Sequence, residues 1–225
     1  MEGFLTEGKA VYSYFIAYRQ VRLLPTGPNR AWEELSNAVS KLEGRCVLRA
    51  AYRCQGFRPD TDVMFWWLCD SMETVHDAYQ LVRRTGLGSV LEASHAFLGV
   101  VRPPEFNPDH RPSFLKGESP KRYICVYPFV RTAEWYLMEP ERRAELLREH
   151  GELGRQFPEV RTNTTSGFGL GDWEWILAFE SDDMIGIVDC IRKLREAEAR
   201  RYTKLDTPFV VGIHSDLEQV VESLG

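Results

Sequence analysis

The sequence predicts an α+β fold built from duplicated ferredoxin-like β-α-β-β-α-β domains, the dimeric α+β barrel type. Two observations carry this prediction. The order strand, helix, strand, strand, helix, strand occurs twice along the chain, and the copies are separated by residues 102–121, which hold five of the twelve prolines. We therefore expect an N-terminal domain at 1–101, a connection at 102–121, a C-terminal domain at 122–212 and a tail at 213–225.

The first copy begins at residues 11–21, which are rich in Tyr, Phe and Val and predict a strand. Apolar residues at helical spacing follow and predict a helix that Gly44 ends. Asp70 with Glu73 resembles a capping box, so a second helix is expected to begin there. The other predicted elements of this copy are strands at 47–54, 63–69 and 96–101.

The second copy repeats the order. Its strands are rich in β-branched and aromatic residues, and its helices carry apolar residues three and four positions apart. The predicted strands lie at 123–130, 160–168, 173–179 and 208–211, and the predicted helices lie at 140–157 and 182–200. Apolar residues at helical spacing also predict a short helix in the tail.

Composition limits the classes of function. The 28 Lys and Arg against 33 Asp and Glu give a net charge of −5, which argues against general nucleic-acid binding. No apolar run approaches a membrane span and the chain does not open like a secretory signal, so we expect a cytoplasmic protein without a membrane anchor. Five cysteines without a C-x-x-C pair argue against a disulfide framework and a structural zinc site. The aromatic content of 12% fits either a large flat ligand or a well-filled core.

His150 is the first candidate for chemistry. Leu146, His150, Leu153 and Phe157 are spaced so that the imidazole lies on the apolar stripe of its helix. Such an imidazole is either a hydrogen-bonded core residue or a ligand of a metal or haem. Gly151 and Gly154 thin this helix, which would admit a flat ring or serve helix packing.

A second group of candidates lies around the strand at 123–130. Tyr127 either packs in the core or faces a pocket, because Pro128 marks an irregular strand. Arg131, four residues later, lies on the same face of the strand as Tyr127 if Pro128 does not change the alternation of side chains between the two faces. Trp135 and Tyr136 follow in a predicted loop, where two exposed large aromatics would be unusual unless they cover something.

Other candidates are His110 in the connection and the arginines at the end of the last helix, namely Arg192, Arg195, Arg200 and Arg201. His110 is either a solvent-exposed loop residue or a functional one. Positive charge at a helix C-terminus is favoured by the helix dipole in any protein, but these arginines could also bind carboxylates.

Several stretches of the chain occur together in one order. They are Tyr127-Pro128-Phe129-Val130-Arg131 with Trp135-Tyr136, His150-Gly151, Gly169-Leu170-Gly171-Asp172-Trp173-Glu174-Trp175, Glu198-Ala199-Arg200-Arg201 and Pro208-Phe209. Weaker matches are Trp66-Trp67, Arg83-Arg84-Thr85-Gly86-Leu87-Gly88 and Pro104-Glu105-Phe106-Asn107 leading to His110. On these stretches the chain resembles the chlorite dismutase family, and within it the coproheme decarboxylases of actinobacterial type.

The resemblance implies an iron porphyrin in the C-terminal domain and five subunits in a ring. It implies that His150 is the proximal iron ligand, Tyr127 the redox-active phenol and His110 a distal base. Arg131 and Arg200 would bind propionates through paired hydrogen bonds, with Arg195 and Trp135 also lining the porphyrin site. In such enzymes iron coproporphyrin III is both substrate and cofactor. Hydrogen peroxide converts two of its propionates to vinyl groups, and the product is haem b.

One position departs from the relatives. Where chlorite dismutases carry a distal arginine, and where related decarboxylases carry a glutamine, the match places Thr162. Its neighbour Arg161 would point to the opposite face of a strand. The resemblance therefore favours decarboxylation over chlorite degradation. Two further functions stay open, namely a haem carrier or sensor without catalysis, and a non-haem ligand-binding protein in which His150 is only a core residue.

Overall fold

The computed structural model describes residues 10–25, 27–102 and 112–225. The chain divides into unit 1, Met1–Arg102 with Val210–Gly225, and unit 2, Pro103–Phe209. Residues 210–225, which the sequence analysis divided between the C-terminal domain and the tail, cluster with unit 1. No helix in the described ranges is both long and apolar enough to span a membrane.

Unit 1 contains an antiparallel sheet covered by helices. Its elements are β1 (Tyr12–Gln20), α1 (Pro28–Ser40), β2 (Cys46–Arg58), β3 (Thr61–Cys69), α2 (Met72–Arg83) and β4 (Leu91–Val100). β1 pairs with β3 and β4, and β2 pairs with β3. The predicted capping box at Asp70 is wrong by one residue, because the Ser71 hydroxyl accepts the bond from the Thr74 amide that begins α2.

The core of unit 1 fills the space between sheet and helices. Aromatic side chains of β1 and β3 meet apolar side chains of both helices in one buried cluster. The main members are Tyr14, Ile16, Tyr18, Phe65 and Trp67 from the sheet and Leu35, Val75, Ala78 and Val82 from the helices. This cluster follows from the period-2 and helical patterning of the sequence.

Unit 2 has a comparable arrangement. Its elements are β5 (Tyr123–Arg131), α3 (Ala133–Leu137), α4 (Pro140–Gly154), β6 (Arg161–Ser166), β7 (Trp175–Ser181), α5 (Met184–Leu194), a 3₁₀ helix (Glu198–Tyr202) and β8 (Thr203–Leu205). β7 pairs with β6 and β5, and β5 pairs with β8, all antiparallel. The β5–β7 register runs through Pro128 without a shift.

Three sequence predictions differ from the structure of unit 2. Trp135 lies in α3, a short helix rather than a loop, and is buried. The last long helix ends at Leu194, so Arg200 lies on the 3₁₀ helix. The strand predicted at 208–211 lies instead at β9 (Val210–Ser215), which pairs with β2 and is followed by α6 (Leu217–Glu222), the expected terminal helix. The sequence did not predict β8, which pairs with β5, because three residues are too few to show a hydrophobic period.

Candidate functional site

The two faces of the sheet of unit 2 differ in exposure. On one face, Ile124, Val126, Ile176, Ala178 and Glu180 are at most 1% exposed. The other face is largely half-buried, although Tyr127 and Phe179 are buried there. Cys190 of α5 and Arg195 beyond it lie close enough to Tyr127 to act on its pKa, so this is the face that α5 covers. An apolar ligand between the sheet and the helices would therefore meet a surface that the chain leaves partly open.

The helix α4 carries His150 and packs against α5 and the 3₁₀ helix. Leu146 is its one buried residue, and Leu147, one turn before Gly151, packs against the small cluster that contains Trp135. His150 is half-buried on the Leu146 stripe, as the spacing predicted. No cluster of three or more His, Cys, Asp or Glu suited to a metal ion occurs among the described residues.

The two glycines of α4 have different surroundings. A Cβ at Gly154 would lie 3.6 Å from Leu194 of α5, an ordinary contact distance. A Cβ at Gly151 would meet only Arg155, of the same helix, at 3.9 Å. Gly151 therefore leaves open space beside His150, and the two roles expected for these glycines, admission of a flat ring or helix packing against a strand, stay predictions.

Tyr127 is 7% exposed and lies among aromatic rings. Its ring centroid is 4.5 Å from that of Phe209 and 5.8 Å from that of Phe179. Burial, with the nearby Cys125 adding to it, raises the pKa of the phenol well above its usual range. Tyr127 consequently remains a protonated phenol at neutral pH.

Arg131 is fixed by several contacts at the end of β5. Its Nη1 donates to the Ala199 carbonyl at 2.8 Å, and its guanidinium carbon lies 3.9 Å from the ring centre of Trp135 and 4.7 Å from that of Phe129. Phe129 and Arg131 therefore share a face, and the regular register places Tyr127 on it too. Burial lowers the pKa of Arg131 to about 10, which leaves the guanidinium charged at neutral pH.

Arg195 and Arg200 meet at one carboxylate. Oδ2 of Asp206 lies 2.8 Å from Arg195 Nη2 and 2.7 Å from Arg200 Nη1. The two arginines line a cleft of about 360 Å³, and its other charged lining residues are Arg201, Glu149, Glu196 and Glu198. Glu149 immediately precedes His150, so the arginines border the same end of α4.

Two carboxylates of the site were not identified from the sequence. Glu174 Oε2 accepts the Arg131 backbone N–H at 2.7 Å and the Tyr136 hydroxyl at 2.6 Å, and Asp206 binds two arginines. Glu174 could have been identified from the sequence, because it lies between two tryptophans in a stretch that carries the family resemblance. Asp206 had none, because its partners precede it by 6 and 11 residues across a 3₁₀ turn.

The strand β6 settles the register question at Thr162. Thr162 is paired with Phe179, and Phe179 is paired with Cys125, two residues before Tyr127, so Thr162 lies on the Tyr127 face. Arg161 lies on the other face and binds Glu118 at 2.7 Å and the Ser119 carbonyl at 2.8 Å. The expectation that Arg161 points away is confirmed. His110 lies outside the described residues.

The chain is similar in sequence to known proteins. Residues 28–215 match the family model described as chlorite dismutase. A coproheme decarboxylase of Mycolicibacterium smegmatis is 45% identical over 179 residues, which are 79% of this chain and 78% of that protein. A coproheme decarboxylase of Thermus thermophilus is 29% identical in an alignment 219 positions long, which covers 87% of this chain and 84% of that protein.

Solved structures share the fold. A variant of the chlorite dismutase from Candidatus Nitrospira defluvii superposes with a TM-score of 0.88, covering 99% of this chain and 98% of that chain at 22% sequence identity. The same protein in complex with imidazole gives a TM-score of 0.87 with the same coverage. The fold is thus α+β with antiparallel strands, and the family model spans most of the sequence. The chain belongs to the chlorite dismutase family.

Proposed function

We propose that this protein is a coproheme decarboxylase that uses hydrogen peroxide to convert iron coproporphyrin III into haem b. The observation that carries the proposal is the 45% identity to a protein of that name over 79% of the chain. The half-buried face with its phenol, imidazole and arginines supports it, because these are the groups that such a reaction requires.

The described residues fit an iron porphyrin. Gly151 leaves open space beside His150, and a neutral imidazole is a common axial ligand of haem iron. Arg131, Arg195 and Arg200 are cations suited to carboxylates, and the porphyrin carries four. Trp135 is buried beneath the Arg131 guanidinium and would support that arginine at the porphyrin edge. His150 would hold the iron, and the arginines with Trp135 would hold the porphyrin edge.

The bound porphyrin supplies redox-active iron together with the propionates that react. Tyr127 would contribute an O–H whose hydrogen atom passes to the oxidant that peroxide supplies, and the resulting phenoxyl would take a hydrogen atom from a propionate carbon. Loss of a second electron to the same oxidant would then release carbon dioxide and leave the vinyl group. Burial favours this neutral route because it disfavours the charged phenolate. Phe179 and Phe209 hold the ring in place and keep water from it.

His110 is proposed as the distal base that takes a proton from peroxide and returns it during O–O cleavage. An imidazole has an unperturbed pKa of about 6.5, which suits that exchange near neutral pH. Thr162 has no group that titrates in this range, so it cannot replace a base on the sheet face. Arg161 is held by Glu118 on the opposite face.

The finer structural proposals follow the family. The strand orders β2-β3-β1-β4 and β6-β7-β5-β8 are the same in the two units, which supports two ferredoxin-like domains. We also propose the domain boundaries of the sequence analysis up to residue 209, with residues 210–225 assigned to the N-terminal domain, a cytoplasmic location and a pentameric assembly.

The test is turnover. The purified protein is loaded with ferric coproporphyrin III and titrated with hydrogen peroxide, and the porphyrin is analysed by mass spectrometry. We expect two successive losses of carbon dioxide together with two hydrogens, ending at haem b. Binding without mass change would favour a carrier or sensor, and oxygen release from chlorite without decarboxylation would favour a chlorite dismutase. Absence of a Soret band after loading would contradict all haem-based functions.

A further inference from the structure

One carboxylate in unit 2 serves two arginines. A single oxygen of Asp206 contacts both Arg195 and Arg200, and its side chain is only 15% exposed whereas each arginine side chain is 38% exposed. A guanidinium has five N–H donors, so each arginine retains donors for another anion. The three side chains therefore form a partly neutralised anion site that borders the cleft beside α4.

This group lies close to Tyr127. Phe209, three residues after Asp206, has its ring 4.5 Å from the Tyr127 ring, and the charges of both Arg195 and Asp206 act on the phenol. In the proposed function the reacting propionate must reach the Tyr127 oxygen. A ligand carboxylate is thus brought to the edge of the cleft where Arg195 and Arg200 meet Asp206.

The reaction removes negative charge at this edge. For each propionate, R–CH₂–CH₂–COO⁻ reacts with H₂O₂ and H⁺ to give R–CH=CH₂, CO₂ and two H₂O. The carboxylate leaves as neutral carbon dioxide, while the arginines keep their charge. A cation partly withdrawn from water is costly without a counter-ion, and Asp206 is a counter-ion that the reaction does not consume.

We propose that Asp206 determines how the site discriminates between substrate and product, an inference that rests on the proposed function. Asp206 moderates the attraction of Arg195 and Arg200 for a ligand propionate and remains as their partner once the propionate is gone. The site can then bind a porphyrin with four carboxylates without being left with unpaired arginines when two have been removed.

The test is binding without peroxide, so that it does not depend on turnover. Dissociation constants for ferric coproporphyrin III and ferric haem b are measured with wild type and Asp206→Asn. Asparagine keeps the size and an acceptor oxygen but removes the charge. We expect coproporphyrin to bind about three- to tenfold more tightly, a modest gain because the arginines are partly exposed, and haem b to bind equally or more weakly. An equal change for both ligands, or weaker coproporphyrin binding, would overturn the proposal.

Two further variants guard the interpretation. Glu196→Gln removes an exposed carboxylate at the same cleft, bound to Lys193 at 2.6 Å, and should leave the ratio of the two constants unchanged. If Glu196→Gln changed this ratio as much as Asp206→Asn does, the effect would come from the net charge of the cleft and not from Asp206 itself. Arg195→Gln keeps Asp206 and should shift the ratio in the opposite direction, which gives a test even if Asp206→Asn does not fold. An unchanged ratio in Arg195→Gln would also contradict the proposal.

Failure of this inference is distinguishable from failure of the proposed function. If wild type converts coproporphyrin to haem b but Asp206→Asn leaves the ratio unchanged, only the role of Asp206 is lost. If wild type neither binds nor converts coproporphyrin, the proposed function is wrong and the role of Asp206 with it.

Discussion

The phenol of Tyr127 is buried between two phenylalanine rings, and its hydroxyl is the one feature that separates it from them. We predict that Tyr127→Phe retains the fold and binds ferric coproporphyrin III, because ring volume and packing are kept. Decarboxylation should fall to the background rate, since no O–H is left to lose a hydrogen atom. Mass analysis of the porphyrin after peroxide addition is the measurement, and haem b formed at the wild-type rate would exclude a role for this phenol.

His150 carries the second prediction at this scale. No other imidazole lies on α4, so His150→Ala should remove the axial ligand and the corresponding absorbance spectrum of the ferric porphyrin. We expect affinity to fall by more than the roughly 10- to 100-fold that loss of an outer-shell partner costs. His76→Ala, on α2 of unit 1, is the control. An unchanged spectrum in the variant would show that the iron is held elsewhere.

At the residue scale, the candidate side chains could be predicted from the sequence, but the residues that they contact could not. Tyr127, Arg131 and His150 lie where strand alternation and helical spacing predict them. Trp135 was expected in an exposed loop, because five helical residues after a strand give no periodic signal, and it is buried under Arg131. The pairing of Arg195 and Arg200 with Asp206 depends on a 3₁₀ turn that local patterning does not specify.

Among the elements, α4 is tested at its two glycines. Gly151→Leu should fold normally, because the space there is open and a helix interior is more stable with other residues than with glycine, by about 0.5 to 1 kcal/mol. It should weaken porphyrin binding by occupying the space beside His150. Gly154→Ala, which meets Leu194 at ordinary contact distance, should change neither property. Thermal unfolding and absorbance titration measure the two effects, and full porphyrin affinity in Gly151→Leu would place the ligand elsewhere.

The hairpin between β2 and β3 carries a stability prediction. A hydrogen bond from Arg58 holds the pKa of Asp60 well below its usual range, with His95 also bound at 3.1 Å. A lowered carboxyl pKa stabilises the fold above the unfolded pKa of about 3.9, and this contribution is lost as pH falls toward the lower folded value. Asp60→Asn should therefore lower the unfolding free energy at pH 7 by about 0.5 to 1 kcal/mol, a small value because the side chain is partly exposed.

The difference between Asp60→Asn and wild type should shrink below about pH 4. Glu92→Gln, an exposed acid on β4, is the control and should show little difference at either pH. A gap that stays constant down to pH 3 would show that Asp60 acts through packing and not through its charge.

Element boundaries were predicted where the chain has a clear period and missed where it has none. Unit 1 matches the expected order of strands and helices because each element is long and patterned. The strand β8 was missed because it has only three residues. The strand predicted at 208–211 included Pro208, whereas β9 begins at Val210, after that proline. Which sheet β9 joins is decided by tertiary pairing with β2, a choice that single-sequence patterning does not contain.

On the scale of the whole molecule, the two units differ in how they fill the space under their helices. In unit 1, Tyr14, Tyr18, Phe65 and Trp67 occupy it and are at most 7% exposed. In unit 2 most side chains of the corresponding face are half-buried, and the buried ones are Cys125, Tyr127, Phe179 and Ser181. We therefore predict one porphyrin per chain, measured by absorbance titration with ferric coproporphyrin III. A stoichiometry of two would contradict the assignment to unit 2 alone.

The cysteines have a consequence for a protein that consumes an oxidant. All five thiols are buried and free, and burial raises the pKa of Cys54 and Cys125 to about 12 and that of Cys190 to about 11. Peroxide attacks the thiolate, which is scarce at neutral pH when the pKa is so high. Cys125 lies two residues before Tyr127, the phenol proposed to react, yet its thiol is protonated and therefore unreactive toward peroxide at neutral pH. Cys54, Cys125 and Cys190 should therefore resist oxidation while the protein uses peroxide, which would lengthen the working life of each copy under oxidative conditions.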